Sequence, residues 1–193
     1  MSKCRNIESI PFFKPMDIMG DWYTQYVSEH NPWTKLDSCP IQQMTPRSID
    51  TSRLLLRDLD TSEYFGFDLK ISGKGNIMGL WHPMWYKGWF QTDSNAGTVW
   101  SGAIQRPIPA FSGNFKIVYL DDNLTIIYSC MEKFNPNIIT KEYDNITILS
   151  RKPKITDEEE KILEEQVVKL FGPTMLKDLD KMTHGSECEP YGF

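Results

Sequence analysis

The sequence predicts an all-β domain with one helix near its C-terminal end. Strand-like runs recur at hairpin spacing from Gly20 to Arg151, and turn residues separate them. A capped amphipathic stretch follows only after the last run. Many short strands ahead of a single helix fit an up-and-down barrel or a sandwich. At 193 residues and 40% hydrophobic content, the chain is long enough for one domain to bury a core.

In chain order, residues 1–16 carry Pro11 and Pro15 around Phe12 and Phe13 and read as an extended arm with an apolar anchor. The first strand runs from Gly20 to about Glu29. Gly20 lets the entering backbone turn tightly, Trp22 can cover a barrel floor, and Trp22, Thr24 and Tyr26 share a face by period two. Residues His30–Pro40 read as a long loop in which Trp33 and Leu36 can fold over a cavity. Further strands are predicted at Ile41–Ser48, Ser52–Leu59, Ser62–Ile71, Gly88–Thr92 and Thr98–Gln105. Asn114–Leu120, Leu124–Lys133 and Tyr143–Arg151 complete the set. Turn chemistry at Asp60-Thr61, Gly73-Lys74-Gly75, Asp93–Gly97, Ser112-Gly113 and Asp121–Asn123 separates them. An eight-stranded barrel requires that one of these nine segments, within residues 52–90, be merged or excluded.

The helix has the clearest local signal. Thr156 is its N-cap, Glu159 completes a capping box, and Asp157 to Glu160 complement the positive helix end. Leu163, Val167 and Leu170 recur at helical spacing, and Gly172-Pro173 stops the run. That stripe requires an apolar surface, which the outside of the sheet supplies. Met175, Leu179 and Met182 predict one or two further helical turns.

Composition excludes several partners. The net charge is −5 with Lys and Arg scattered, whereas a nucleic-acid groove or an anionic membrane surface calls for the opposite sign. No run approaches the roughly 18 apolar residues of a membrane span. His30, His82 and His184 are too few and too separated for a triad or a metal site, so neither a metal nor a cofactor is expected. Asp58, Asp60 and Glu63 fall in turn-like sequence, where solvated acids are the default. Cys4, Cys39, Cys130 and Cys188 form no C-x-x-C pair. They allow three pairings if all are oxidised, or four buried thiols in a cytosolic protein. Asn123-Leu124-Thr125 and Asn145-Ile146-Thr147 are glycosylation sequons.

Three separated stretches resemble the conserved regions of the lipocalins. Asp17–Tyr23, with Gly20 and Trp22, is similar to the first. Tyr119–Cys130 is similar to the second, with Asp-Asp-Asn in place of the usual Thr-Asp-Tyr. Ile148–Pro153 is similar to the third. The resemblance implies a single domain with an eight-stranded up-and-down antiparallel barrel over residues 17–152. It further implies a helix over 156–172 packed on the barrel's outside, a tethered tail over 173–193, and Arg151 lying across Trp22. The cysteines are placed as in apolipoprotein D-like lipocalins, which implies Cys4–Cys130 and Cys39–Cys188 bridges. The tail also resembles the lipocalin domain of violaxanthin de-epoxidase.

The function implied is carriage of a small hydrophobic ligand, such as a fatty acid, sterol, retinoid, bilin or haem-like compound. The implied setting is secreted or lumenal/vacuolar, which requires that a leader has been removed and Met1 added. Candidate lining residues are Trp81, Trp85 and Trp89 in the aromatic stretch Leu80–Phe90, with Tyr26, Trp33, Met44, Phe65, Phe67, Trp100 and Tyr128. Core packing, or a homo-oligomer interface through residues 80–90, competes with pocket lining for the tryptophans. Enzymatic activity is not expected. The alternatives are a lipocalin-fold enzyme acting on an epoxide or peroxide lipid, and an oligomeric interaction protein with a side-chain-filled barrel.

Overall fold

The computed structural model describes residues 5–11, 13–28, 37–48, 64–75, 79–91, 96–101, 112–135 and 138–193. Its strands are β1 (Gly20–Ser28), β2 (Asp37–Arg47), β3 (Tyr64–Gly75), β4 (Trp81–Gln91) and β5 (Ala96–Ser101). They continue with β6 (Ser112–Leu120), β7 (Leu124–Asn135), β8 (Ile138–Ser150) and a short β9 (Leu179–Lys181). One α-helix, α1 (Asp157–Phe171), lies between β8 and β9. Each of β1 to β7 pairs antiparallel with its successor, and β1 also pairs with β8, so the eight strands close on themselves as a barrel. None of the described helices is long and apolar enough to cross a membrane.

Several segments differ from the sequence expectation. Gly73-Lys74-Gly75 is not a turn but the end of β3, and β4 begins at Trp81 rather than Gly88. Pro83 is tolerated in β4 because the described pairing with β5 ends at Tyr86–Ser101, leaving β3 as the neighbour there. Ser52–Leu59, Trp33, Leu36 and Cys4 lie outside the described residues.

The helix forms as its sequence predicts. Thr156 accepts from the Glu159 N–H, and the Glu159 carboxylate accepts from the Thr156 N–H. Leu163, Val167 and Phe171 bury the apolar stripe. It packs outside the barrel on Val118, Leu124, Ile126, Tyr128, Ile146 and Ile148. After the helix, Met175–Asp178 form a 3-10 turn, but Leu179 enters β9 instead of a second helix. β9 pairs with β1 through Tyr26–Lys181, Val27–Asp180 and Ser28–Leu179. It takes the edge of β1 that β2 leaves after Tyr23–Ile41.

The tail beyond β9 is fastened over the outer wall. His184, 7% exposed, places Nε2 2.8 Å from the Thr24 carbonyl and Nδ1 3.3 Å from the Tyr191 hydroxyl. Burial lowers its pKa. Tyr191 and Phe193 pack edge-on against Tyr23. Trp81 Nε1 donates to the Pro190 carbonyl at 3.2 Å, and Lys70 Nζ to the Gly192 carbonyl at 2.8 Å. Cys188 is bonded to Cys39, as the resemblance implies. A register shift between Ser38 and Ile41, with Cys39 at φ 59°, breaks the regular pairing of β2 at the bridge. Cys130 is also disulfide-bonded, while Cys4 lies outside the described residues.

Candidate ligand site inside the barrel

The closed end is built on Trp22. Its side chain is fully buried, and Nε1 donates to the Ile18 carbonyl at 2.7 Å. The Arg151 guanidinium lies 3.6 Å from the ring centroid and donates to the carbonyls of Asp17 (2.9 Å) and Asp21 (3.1 Å). Burial lowers the Arg151 pKa from its ordinary value. Gly20 takes φ 101°, and a Cβ there would stand 3.1 Å from Arg151 Nη1. The glycine therefore serves the turn and leaves room for the stacked cation. Asp121 closes the nearby β6–β7 turn by accepting from the N–H groups of Asn123 (2.8 Å) and Leu124 (2.7 Å) and from the Tyr119 hydroxyl (2.6 Å).

Above this floor the inner wall is aromatic. Phe13, Phe67, Phe90 and Phe115 pack together, with ring centroids 5.0 Å apart for Phe67–Phe90 and 5.2 Å for Phe13–Phe90. Gly88 also faces inward, and a Cβ there would run into the Phe67 ring. Met44, Leu69 and Tyr86 belong to the same buried cluster, with Ile71 and Met84 partly buried against it. Burial pushes the Tyr86 phenol upward, and its hydroxyl lies 3.9 Å from the Met84 sulfur.

Toward the mouth a polar group interrupts this wall. The Asn145 amide donates to Ser129 Oγ at 2.9 Å, and its carbonyl accepts from Ser28 Oγ at 3.2 Å. Ser28 Oγ accepts in turn from the Ile146 N–H at 3.1 Å. Ser129 and Asn145 are direct cross-strand partners. Strand alternation puts both on the inner face with Ile127 and Leu149, opposite the helix-facing Tyr128 and Ile146.

Met44, Phe65 and Phe67 thus face the interior, but other candidates do not. Tyr26 packs beside α1, and its hydroxyl donates to Glu160, which also accepts from Lys181. The register shift between Thr24 and Tyr26 carries Tyr26 out of the face it would share with Trp22. Tyr128 is likewise outside, with its ring by Phe171 and its hydroxyl bonded to the Arg5 carbonyl and Asp144. Trp81, Trp85 and Trp89 occupy the outer face of β4, because Met84, Tyr86, Gly88 and Phe90 take the inner one. Trp81 is covered by the tail, whereas Trp85 is 56% exposed beneath Lys70 Nζ at 5.5 Å. Trp100 lies on β5, and Trp33 falls outside the described residues. Asn123 is half-buried in the β6–β7 turn. Asn145, at 9% exposure and bonded inside the barrel, is not placed to carry a glycan. Cys39, Glu187 and Cys188 come within 4.8 Å of one another, but both sulfurs are committed to the disulfide and cannot ligate a metal as thiolates.

Sequence reasoning chose the right stretch, Leu80–Phe90, but singled out its tryptophans instead of Met84, Tyr86 and Phe90, and it missed Phe115 and the Ser28–Asn145–Ser129 group. Gly88 was the available signal: a glycine opposite Phe67 in a strand marks where a ring lies against the backbone.

Comparison with solved structures agrees with this geometry. Lobster apocrustacyanin A1 matches with a TM-score of 0.61 and 18% identity, over 90% of this chain and 81% of that one. Insecticyanin from the tobacco hornworm Manduca sexta matches with a TM-score of 0.70 and 12% identity, over 95% and 87%. The cockroach allergen Per a 4 matches with a TM-score of 0.64 and 11% identity, over 94% and 95%. These neighbours are lipocalins. The fold is the lipocalin fold. No protein-family model and no curated protein matches the sequence. The likenesses lend no support to an oligomer through residues 80–90.

Proposed function

We propose that the protein binds and carries a small hydrophobic ligand inside its barrel. The observation that carries this reading is the inner wall above Trp22, where Phe67, Phe90 and Phe115 line one side of a closed eight-stranded barrel. A barrel of that size holds one small ligand, and apolar lining supplies the affinity. The lipocalin fold of the solved neighbours supports the same reading. The Cys39–Cys188 disulfide, with Cys130 also bonded, supports a secreted or lumenal setting. The cysteine placement supports the apolipoprotein D-like assignment as the finer relationship.

Titration of the neutral probe diphenylhexatriene tests the binding reading. Its fluorescence should rise and saturate near one equivalent, and Met84→Gln, at an inner-wall position that is only partly buried, should weaken it while near-ultraviolet circular dichroism shows the fold retained. No response, together with turnover of an epoxide or peroxide lipid, would favour the enzyme alternative.

A further inference from the structure

We infer that Ser129 and Asn145 form the polar end of the ligand site and select neutral ligands bearing a hydroxyl or carbonyl group over carboxylates. The inference rests on the binding reading above and adds the chemical class of the ligand. Three observations carry it. The first is position: the Lys116–Tyr128 pair places Phe115 and Ser129 one residue further along β6 and β7, on the inner face. A ligand lying against the phenylalanine cluster therefore reaches Ser129 with its upper end.

The second observation is unused hydrogen-bonding capacity. Asn145 gives one amide hydrogen to Ser129 Oγ and receives one from Ser28. Among the described residues, that leaves the second amide hydrogen and the Ser129 hydroxyl proton, both donors, and Ser129 is only half-buried. Two donors at the end of an apolar wall suit a single acceptor oxygen.

The third is charge. From the floor to the level of Asn145, the inner-face positions of the described strands hold no Asp, Glu, Lys or Arg. The nearest charged inner-face positions on β7 and β8, Lys133 and Lys141, lie two inner-face pairs further toward the mouth. A carboxylate brought to the depth of Asn145 would lose its hydration and gain no adjacent counter-charge from the described strands, which disfavours it strongly. A hydroxyl or carbonyl loses far less, and two donors compensate it.

Retinol and retinoic acid share one polyene and differ at the polar end, so they isolate this choice. At pH 8, quenching of intrinsic tryptophan fluorescence should show retinol binding at least ten-fold tighter than retinoate. Ser129→Ala should weaken retinol by about ten-fold. It should leave diphenylhexatriene and retinoate within two-fold, and Ser129→Thr, which keeps the hydroxyl, should restore retinol. Near-ultraviolet circular dichroism checks that each variant keeps its packing. Retinoate binding as tightly as retinol, or a retinol-to-retinoate ratio unmoved by Ser129→Ala, would overturn the inference while leaving the binding reading intact. Failure of diphenylhexatriene and both retinoids to bind would overturn both together.

Discussion

Removing the indole of Trp22 gives the sharpest test of how the barrel is held closed. Trp22→Ala deletes a side chain with no exposed surface, and large-to-small changes at such sites typically destabilise by about 3–5 kcal/mol. The variant also orphans the Ile18 carbonyl, which accepts from Nε1 at 2.7 Å, and strips Arg151 of the ring 3.6 Å below it. Those losses add about 1 kcal/mol for the hydrogen bond and about 0.5–2 kcal/mol for the cation–π contact. Part of this overlaps with the cavity term, so about 4 kcal/mol is the working figure. For a chain of this length each kcal/mol shifts Tm by about 2–4 °C, which predicts a drop of about 8–16 °C. Thermal unfolding followed by far-ultraviolet circular dichroism reads the loss directly. Trp22→Phe and Arg151→Met, alone and combined, then isolate the stacking through the coupling of the two changes. A Trp22→Ala protein that melts within 2 °C of the parent but no longer binds diphenylhexatriene would refute the reasoning. Trp22 would then belong to the pocket and not to the floor.

Three further outcomes follow from the tail and the outer wall. Cys39→Ser opens a bridge between residues 149 apart in sequence, and chain entropy predicts a loss of ~5 kcal/mol in urea unfolding. His184 is held neutral by burial, so the unfolded chain binds a proton that the folded chain resists. Stability should therefore fall as pH drops through about 6.5, and His184→Gln should flatten that slope in melts between pH 8 and 5. Trp85→Ala should change urea-unfolding stability by less than about 0.5 kcal/mol, because the ring is already 56% exposed. A larger loss would mean that Lys70 and Trp85 support the β3–β4 pairing.

Gly20 and Trp22 were legible at the head of a strand, but their pairing with Arg151 was implied only by the resemblance to the lipocalins. Gly20 precedes Trp22 at a turn, and Arg151 closes the last long strand before a capped helix. The lining was less legible, because one unseen bulge or one residue of register reverses a strand's faces. Trp81, Trp85 and Trp89 share a face at even spacing, but spacing alone does not say which face. Gly88 against Phe67 decides it, and that contact exists only once β3 and β4 are in register. Tyr26 shows the other failure, since the irregularity around Gln25 leaves no mark in the sequence. There Gln25 Nε2 reaches Ser150 Oγ at 2.8 Å, a contact across 125 residues that no local pattern announces. Asn145 likewise reads as a sequon until β7 and β8 place it beside Ser129.

The change of partner along β1 also bears on how the molecule is made. Residues 26–28 of β1 find their strand partner in residues 179–181. A ribosome must therefore add about 150 residues before that edge can be covered. Throughout that interval the growing chain carries an open strand edge, the kind of template that recruits neighbouring chains. Lys181, the β9 residue that pairs with Tyr26, also reaches Glu160 of the helix, so one late-emerging segment ties together β1 and α1. Asp180→Pro, which blocks the β9 pairing but keeps Cys188 in the chain, should thus yield protein that aggregates during expression, even though all eight barrel strands are present.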